Sequence, residues 1–416
     1  MDQQPTAGST PGSRLTVMLH VGAPKTGTSA VQHVLFSNRE SLAEQGVLYP
    51  ADRFDEHFLA ALDLMELPWG GLEKQAVGAW DRLAEQVRGW EGTAIVSHEI
   101  LATASRAHVR RALESFGDAE VHVVLSARDL VRQIPAEWQE NVKHRRVVGY
   151  GEYLEKIRDP ARRGTLAAWF WGVQEVPDIL DRWGASLPPE RVHLVTVPKP
   201  GAPPDELWGR FARVFGIDAD LRAGEDRANP SLGVPETALV RRINVEVNDG
   251  VLANERYREL VRELLAHRTL SRRTTSARLA LPGDARDWAV EVSESWIETL
   301  ADRGYDVVGS LEDLRPGAED QPFVDPDQPD EAEVARAAVQ AVVALLEEAS
   351  RLRTVEDELR QELERTRWER DHAAGPVRRR VQRFKERVVS AADRHASVRV
   401  ALGGYRRVRG RSSRSA

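Results

Sequence analysis

The chain has 416 residues, 41% of them hydrophobic and 30% charged, with a formal net charge of -7 and no cysteine. That length carries one large domain plus an accessory segment, or two domains. The absence of cysteine excludes disulfides, thiol nucleophiles and cysteine metal ligands, and no apolar run approaches the roughly 20 residues that a membrane-spanning helix needs.

In chain order, residues 1–14 are rich in Gly, Ser, Thr and Pro and read as a disordered leader. They carry no basic-then-apolar signal pattern, which fits a soluble, cytoplasmic protein. LTVMLHVG (15–22) is an apolar run ending in glycine, as in a buried parallel strand. Val31, Val34, Leu35 and Leu42 then keep helical spacing from Thr28 to about Gln45, with Gly46 as the stop. Three further buried strands are expected at TAIVS (93–97), VHVVLSA (121–127) and RVHLVTV (191–197). Helical stretches precede them at about 76–90, 108–116 and 173–183. Strands alternating with helices predict an α/β fold with a central parallel β-sheet covered by helices on both faces. From 236 to 300 the pattern is mainly helical, and GYDVVGSLEDL (304–314) closes the domain expected over 15–316.

The acidic, Pro-rich segment 317–330 reads as a linker. Residues 331–373 read as a charged helix, a C-terminal helical extension in which Leu345, Leu352 and Leu359 recur every seven residues. That spacing fits a short coiled coil and a homodimer, or else a solvated single helix. The basic tail follows, over 374–416. From Pro376 onward it holds 13 Lys/Arg against 2 Asp/Glu, a net of +11, whereas the rest holds 45 against 63, a net of -18. Such a tail either meets an anionic partner, such as the inner membrane surface, or is simply solvated. Val377, Val381, Phe384, Val388 and Val389 form a rough apolar stripe among its arginines, compatible with a membrane-surface helix. Nucleic acid is the poorer partner, since no binding motif accompanies the charge.

The chemistry concentrates at GAPKTGTS (22–29), between the first strand and the first helix. Gly22 and Gly27 have the spacing of a Walker loop, but Thr28 stands where its lysine belongs and the lysine comes early, at Lys25. Backbone N–H groups at a helix start bind phosphate oxygens. Lys25 adds a point charge, and the hydroxyls of Thr26, Thr28 and Ser29 add donors. No clear Walker-B acid ends a nearby strand, although Glu99 in AIVSHE comes close.

This segment resembles the 5′-phosphosulfate loop of the sulfotransferases that use 3′-phosphoadenosine 5′-phosphosulfate (PAPS), whose P-K-[ST]-G-T-[ST] core stands here as Pro24, Lys25, Thr26, Gly27, Thr28 and Ser29. LSARDLVRQIPAEWQ is similar to the same family's 3′-phosphate motif, with Arg128 and Asp129 in place. Leu130 replaces its usual proline and Ala136 its serine, leaving Arg132, Gln133 or Gln139 as substitutes. NPSLG (229–233) resembles a nucleotide-proximal stretch of carbohydrate-type members through Asn229 and Ser231, or is an Asn-Pro turn.

The resemblance implies a P-loop-type fold over 15–316 and sulfuryl transfer from PAPS to a hydroxyl of a carbohydrate, glycolipid or secondary metabolite. The product would be 3′-phosphoadenosine 5′-phosphate (PAP). Gly22 to Ser29, with Ala23 among them, would line the donor, the backbone amides of Thr26 to Ser29 would hold its 5′-phosphate, and Lys25 would stabilise the leaving oxygen. Arg128 would take the 3′-phosphate. The base would be Glu99, favoured by the S-x-E arrangement, or His98; in an extended strand only one of two neighbours faces a given side. No metal is expected, since the 11 histidines show no paired ligand spacing. Two other classes compete: an ATP-dependent small-molecule kinase, and a non-catalytic nucleotide-binding scaffold. Trp169, Phe170 and Trp171 read as core or acceptor lining, and the run Lys143 to Arg146 as an anion contact or a solvated face.

Overall fold

A computed structural model describes residues 15–222, 231–248, 250–317 and 322–394. Asn229, the turn before Ser231, the leader and most of the basic tail lie outside these residues. The chain divides into Met1–Ala341 and Val342–Ala416.

The first unit is built on six parallel strands: β1 (Thr16–Gly22), β2 (Val47–Leu48), β3 (Thr93–Ser97), β4 (Glu120–Ala127), β5 (Val192–Thr196) and β6 (Asp306–Val308), in the order β2-β3-β1-β4-β5-β6. The four apolar runs read from the sequence are the four central strands. They are apolar on both faces because helices cover both. Met18, Ile95, Val124 and Val195 point to one side, where the helices Thr28–Ser37 and Glu206–Phe215 supply Val31, Leu35, Phe211 and Phe215. Val17, Leu19, Val21, Val123 and Leu125, on the alternate positions, are fully buried on the other.

The expected helix over 28–45 divides at Asn38 into Thr28–Ser37 and Arg39–Glu44. The stretch 236–300 is several helices, including Val234–Val247, the π-type turns of Arg258–Thr269, and Gly283–Ala301. The sequence reading also missed the helix Leu130–Lys143, which matters most for the site. Asp129 caps it by accepting from the Arg132 N–H (3.0 Å), and Pro135 lies within it, where the missing N–H weakens any helical signal.

The segment read as a linker is packed where it is described. Asp327 accepts from the Gly151 N–H (2.9 Å) and pairs with Arg241 (3.2 Å), while Pro326 and Pro329 are buried. The helix Glu331–Arg394 begins on the same body: Glu331 pairs with Arg242, Glu333 with Arg273, and Val334 and Ala337 are buried.

β1 is central, with β3 on one side and β4 on the other. The chain leaves β1 toward β2 on the β3 side and leaves β4 toward β5 on the other side, which opens a crevice at their carboxyl ends. Residues 22–29, 97–99 and 126–129 all end at that crevice.

Candidate functional site

The loop between β1 and its helix is shaped by two glycines and a buried hydroxyl latch. Gly22 has φ +141°, and a Cβ on it would meet the Glu99 carbonyl oxygen at 2.9 Å, so glycine lets the ends of β1 and β3 approach. Gly27 has φ +89° and precedes the helix Thr28–Ser37. The buried Ala23 donates its N–H to the Ser126 carbonyl (2.9 Å). Thr26 is also buried: its hydroxyl donates to the Ala23 carbonyl (2.6 Å) and bonds the Ser126 hydroxyl. Thr26 thus ties the loop together and is not a free donor, a correction to the sequence expectation. Thr28 is buried and Ser29 is exposed at the start of the helix.

Among the described hydrogen bonds, none uses the backbone N–H of Lys25, Thr26, Gly27, Thr28 or Ser29; the first amides of this helix that bond backward are those of Ala30 and Val31, both to the Gly27 carbonyl. Five successive amides at a helix N-terminus form an anion-binding concavity to which the helix dipole adds positive potential.

The Lys25 ammonium pairs with Glu140 on the helix Leu130–Lys143. The same carboxylate faces His144 (3.2 Å), Arg262 (3.2 Å) and Lys143 (4.0 Å). Burial opposes its charge, but Lys25, His144 and Lys143 hold it well below the ordinary carboxylate range. One turn earlier lies Glu137, buried, whose Oε1 accepts from Gln174 (2.9 Å). Burial pushes its pKa up to about 7 against the pull of Lys25.

Arg128 leaves the end of β4, its Nε donating to Gln133 (2.8 Å); Gln133 donates in turn to the Pro24 carbonyl (2.6 Å) and to Gln174 (2.8 Å). Arg128 is therefore one residue removed from the loop. Burial lowers its pKa to about 10, so it stays cationic at neutral pH. Arg132 pairs with Asp129 and reaches the Pro198 carbonyl (3.1 Å), leaving Nη2 buried without a hydrogen bond. Of the three substitutes for the absent serine, Gln133 is committed to the loop. Gln139 holds Leu232 through both its groups (2.9 and 3.1 Å), and Arg132 alone keeps an unused donor. Ala136 lies on the same helix. Ser231 is exposed, and no described hydrogen bond ties it to the loop.

His98 and Glu99 come together instead of pointing apart, correcting the strand argument: β3 ends at Ser97, and Glu99 opens a 3₁₀ turn over Glu99–Thr103. His98 Nε2 lies 3.9 Å from Glu99 Oε2. His98 Nδ1 accepts from the Ile100 N–H (3.3 Å), so the neutral ring carries its proton on Nε2 and has no free lone pair. Burial lowers the pKa of this imidazole. Glu99 Oε2 accepts from Gln32 (2.9 Å), on the loop's own helix. Burial raises its pKa, but His98, Gln32 and backbone N–H outweigh that, so the net shift is downward and Glu99 is a carboxylate.

His20, which the sequence reading absorbed into an apolar strand, is fully buried beneath the loop. Its Nδ1 bonds the Ser97 hydroxyl (2.7 Å), and its Nε2 lies 3.4 Å from the Ser126 hydroxyl, which donates to the Gly22 carbonyl (2.8 Å). Burial lowers its pKa to about 4 and keeps it neutral. The available signal was a lone imidazole two residues before the loop's glycine, in a sequence where two of the other strand candidates carry a serine at the last position (Ser97) or next to it (Ser126).

A row of aromatic rings starts at His98. Its ring lies 5.0 Å from Phe58, Phe58 lies 5.6 Å from Trp69, and Trp69 contacts both Trp169 (5.8 Å) and His144 (6.2 Å). Phe58, Trp69 and Trp169 are only partly buried, whereas Phe170 and Trp171 are core. His144 returns to Glu140 and Lys25, so the row links the two catalytic candidates by side-chain contact. The run 143–146 is mixed: Lys143 is buried and Arg145 bonds Asn248 (2.8 Å), Asn254 (3.0 Å) and the Val247 carbonyl (2.7 Å), while His144 and Arg146 are exposed.

Two solved structures are similar to this chain. A sulfotransferase from Alicyclobacillus acidocaldarius aligns at 17% identity over 60% of this chain and 100% of its own, with a TM-score of 0.35. The sulfotransferase domain from the curacin biosynthetic pathway aligns at 10% identity over 50% of this chain and 76% of its own, with a TM-score of 0.27. No family model and no curated protein matches. At this degree of overlap, the chemistry of the site has to carry any assignment. Among the described residues, no three His, Asp or Glu side chains converge as metal ligands would, and no helix is long and apolar enough to cross a membrane.

Proposed function

We propose that this chain is a PAPS-dependent sulfotransferase acting on a hydroxyl of a carbohydrate, glycolipid or secondary metabolite. The observation that carries the proposal is the row of unbonded amides from Lys25 to Ser29, with a lysine inside it and an arginine at the end of the adjacent strand. The amides suit the 5′-phosphate. Arg128 and the unused Nη2 of Arg132 supply cations for a 3′-phosphate, a group that ATP lacks.

In this reading the acceptor oxygen forms a bond to sulfur as the bond between sulfur and the bridging oxygen of the 5′-phosphate breaks. The electron pair leaves with PAP, where Lys25 meets the growing negative charge. The acceptor proton passes to Glu99, a carboxylate held by Gln32 on Oε2. The engaged Nδ1 of His98 favours Glu99 as the base. Donor binding has to draw the Lys25 ammonium away from Glu140. The partly exposed rings of Phe58, Trp69 and Trp169 support an acceptor with a flat apolar ring face, since such faces stack on aromatic side chains. A cytoplasmic location, with the basic tail on an anionic inner-membrane surface, belongs to the same proposal. Deleting 376–416 should abolish partitioning onto anionic vesicles, and unchanged partitioning refutes that part.

Calorimetry of PAP against magnesium ATP tests the assignment, using the wild type, Lys25→Ala and Arg128→Ala. Tight PAP binding that needs Arg128, with ATP ignored, is the expected result. Indifference to PAP, or a preference for magnesium ATP, overturns the proposal in favour of a kinase or another phosphate ligand.

A further inference from the structure

The helix Glu331–Arg394 carries an apolar stripe between Val342 and Leu363 that is exposed among the described residues of its unit. Val342, Leu345, Leu352, Leu359 and Leu363 are 53%, 39%, 49%, 59% and 50% exposed. Written as heptads from Val342, the a positions are Val342, Ala349, Glu356 and Leu363, and the d positions are Leu345, Leu352, Leu359 and Thr366. Three consecutive leucines at d, with a β-branched residue at the first a, form the seam of a two-stranded coil. Single exposed leucines need no explanation, but a seam of this length does.

The charges beside the seam decide the occupant and its direction. The g positions hold Glu348, Val355 and Glu362, and the e positions of the following heptads hold Arg353, Arg360 and Arg367. In a parallel, in-register pair each g residue faces the next e residue of the other helix. Glu348 then meets Arg353 of the partner copy, and Glu362 meets Arg367 of the partner copy. In an antiparallel pair e faces e and g faces g, which sets arginine against arginine and glutamate against glutamate. On its own helix, Glu348 accepts from Arg351.

We propose that Val342 to Leu363 forms a parallel, in-register coiled coil with a second copy of this chain. The parallel direction has a consequence that the antiparallel one lacks: it brings two tails, each carrying +11 over 376–416, to the same end of the coil. Attraction of a doubled basic segment to an anionic surface rises through effective concentration, without any new contact. Glu356 at an a position faces its own copy, so it weakens the pair while opposing other registers.

The test uses the full chain and two measurements. Sedimentation equilibrium should give a dimer for the wild type and a monomer for Leu352→Glu/Leu359→Glu, with unchanged near-ultraviolet dichroism showing that the body is folded. Because the chain contains no cysteine, Leu363→Cys places one thiol at the end of the seam. Oxidation should link the parallel pair; in an antiparallel pair the two thiols lie roughly 30 Å apart, at about 1.5 Å per residue, and do not link. A monomeric wild type, a dimer that survives the double substitution, or linkage seen only on mixing Leu363→Cys with Val342→Cys overturns the proposal.

Discussion

Replacing Glu137 by glutamine should stabilise the protein in mild alkali and change little in mild acid. Glu137 is 4% exposed, and burial raises its carboxyl to about 7 against an ordinary value of 4.5; Lys25 pulls it down and Glu140 pushes it up. An acid with a raised folded-state pKa contributes stability that is fully present below the unfolded pKa and is lost as pH rises through the folded one. The window is therefore pH 4.5 to 7, where the native state holds a proton that the unfolded chain has released. A gap of that width, at ~1.4 kcal/mol per pH unit, corresponds to a loss of about 3 kcal/mol that glutamine does not suffer. The amide keeps an oxygen to accept from Gln174 and preserves volume, so packing is unchanged. Urea unfolding followed by tryptophan fluorescence, at fixed protein concentration and at pH 5 and pH 8.5, measures the effect. Equal stability differences at the two pH values would refute the reasoning, because they would mean that Glu137 does not change charge in the folded protein.

Two further substitutions have expected outcomes. Glu140→Gln releases the Lys25 ammonium and should tighten PAP binding about fivefold at low salt, the ~1 kcal/mol of a partly exposed pair; calorimetry reads this directly. His20→Ala leaves a void and removes one partner from each of two serine hydroxyls, at a cost of about 2–4 kcal/mol, and should weaken PAP binding through the loosened loop, as measured by urea unfolding and calorimetry. The same substitution should reduce acid sensitivity: burial lowers His20 to about 4, so its contribution is present above pH 6.5 and lost as pH falls through 4.

What the sequence by itself determined is whatever depends on backbone pattern. Continuous apolar runs specified β1, β3, β4 and β5, because a strand covered on both faces needs apolar residues on both. The glycines of 22–29 specified a tight loop into a helix, whose amides stay unbonded among the described hydrogen bonds. The leucine heptad likewise needs only spacing to be seen. Short edge strands such as Val47–Leu48 and the proline-bearing helix Leu130–Lys143 left no comparable pattern.

Tertiary structure decided what depends on partners far apart in the chain. Lys25 and Glu140 are 115 residues apart, and His20 and Ser126 are 106 apart. No periodicity records such a pairing, since it arises only when β1 lies between β3 and β4 and the helix after β4 folds across the loop. The turn that begins at Glu99 brought the two candidate bases together, and the Ile100 N–H occupied one of them. Burial and neighbours then assigned the charges: burial leaves His20 and His98 neutral and Glu137 close to its titration point, whereas its neighbours keep Glu99 ionised against burial. Charge in a fold follows desolvation and neighbours, and both exist only once the chain has packed.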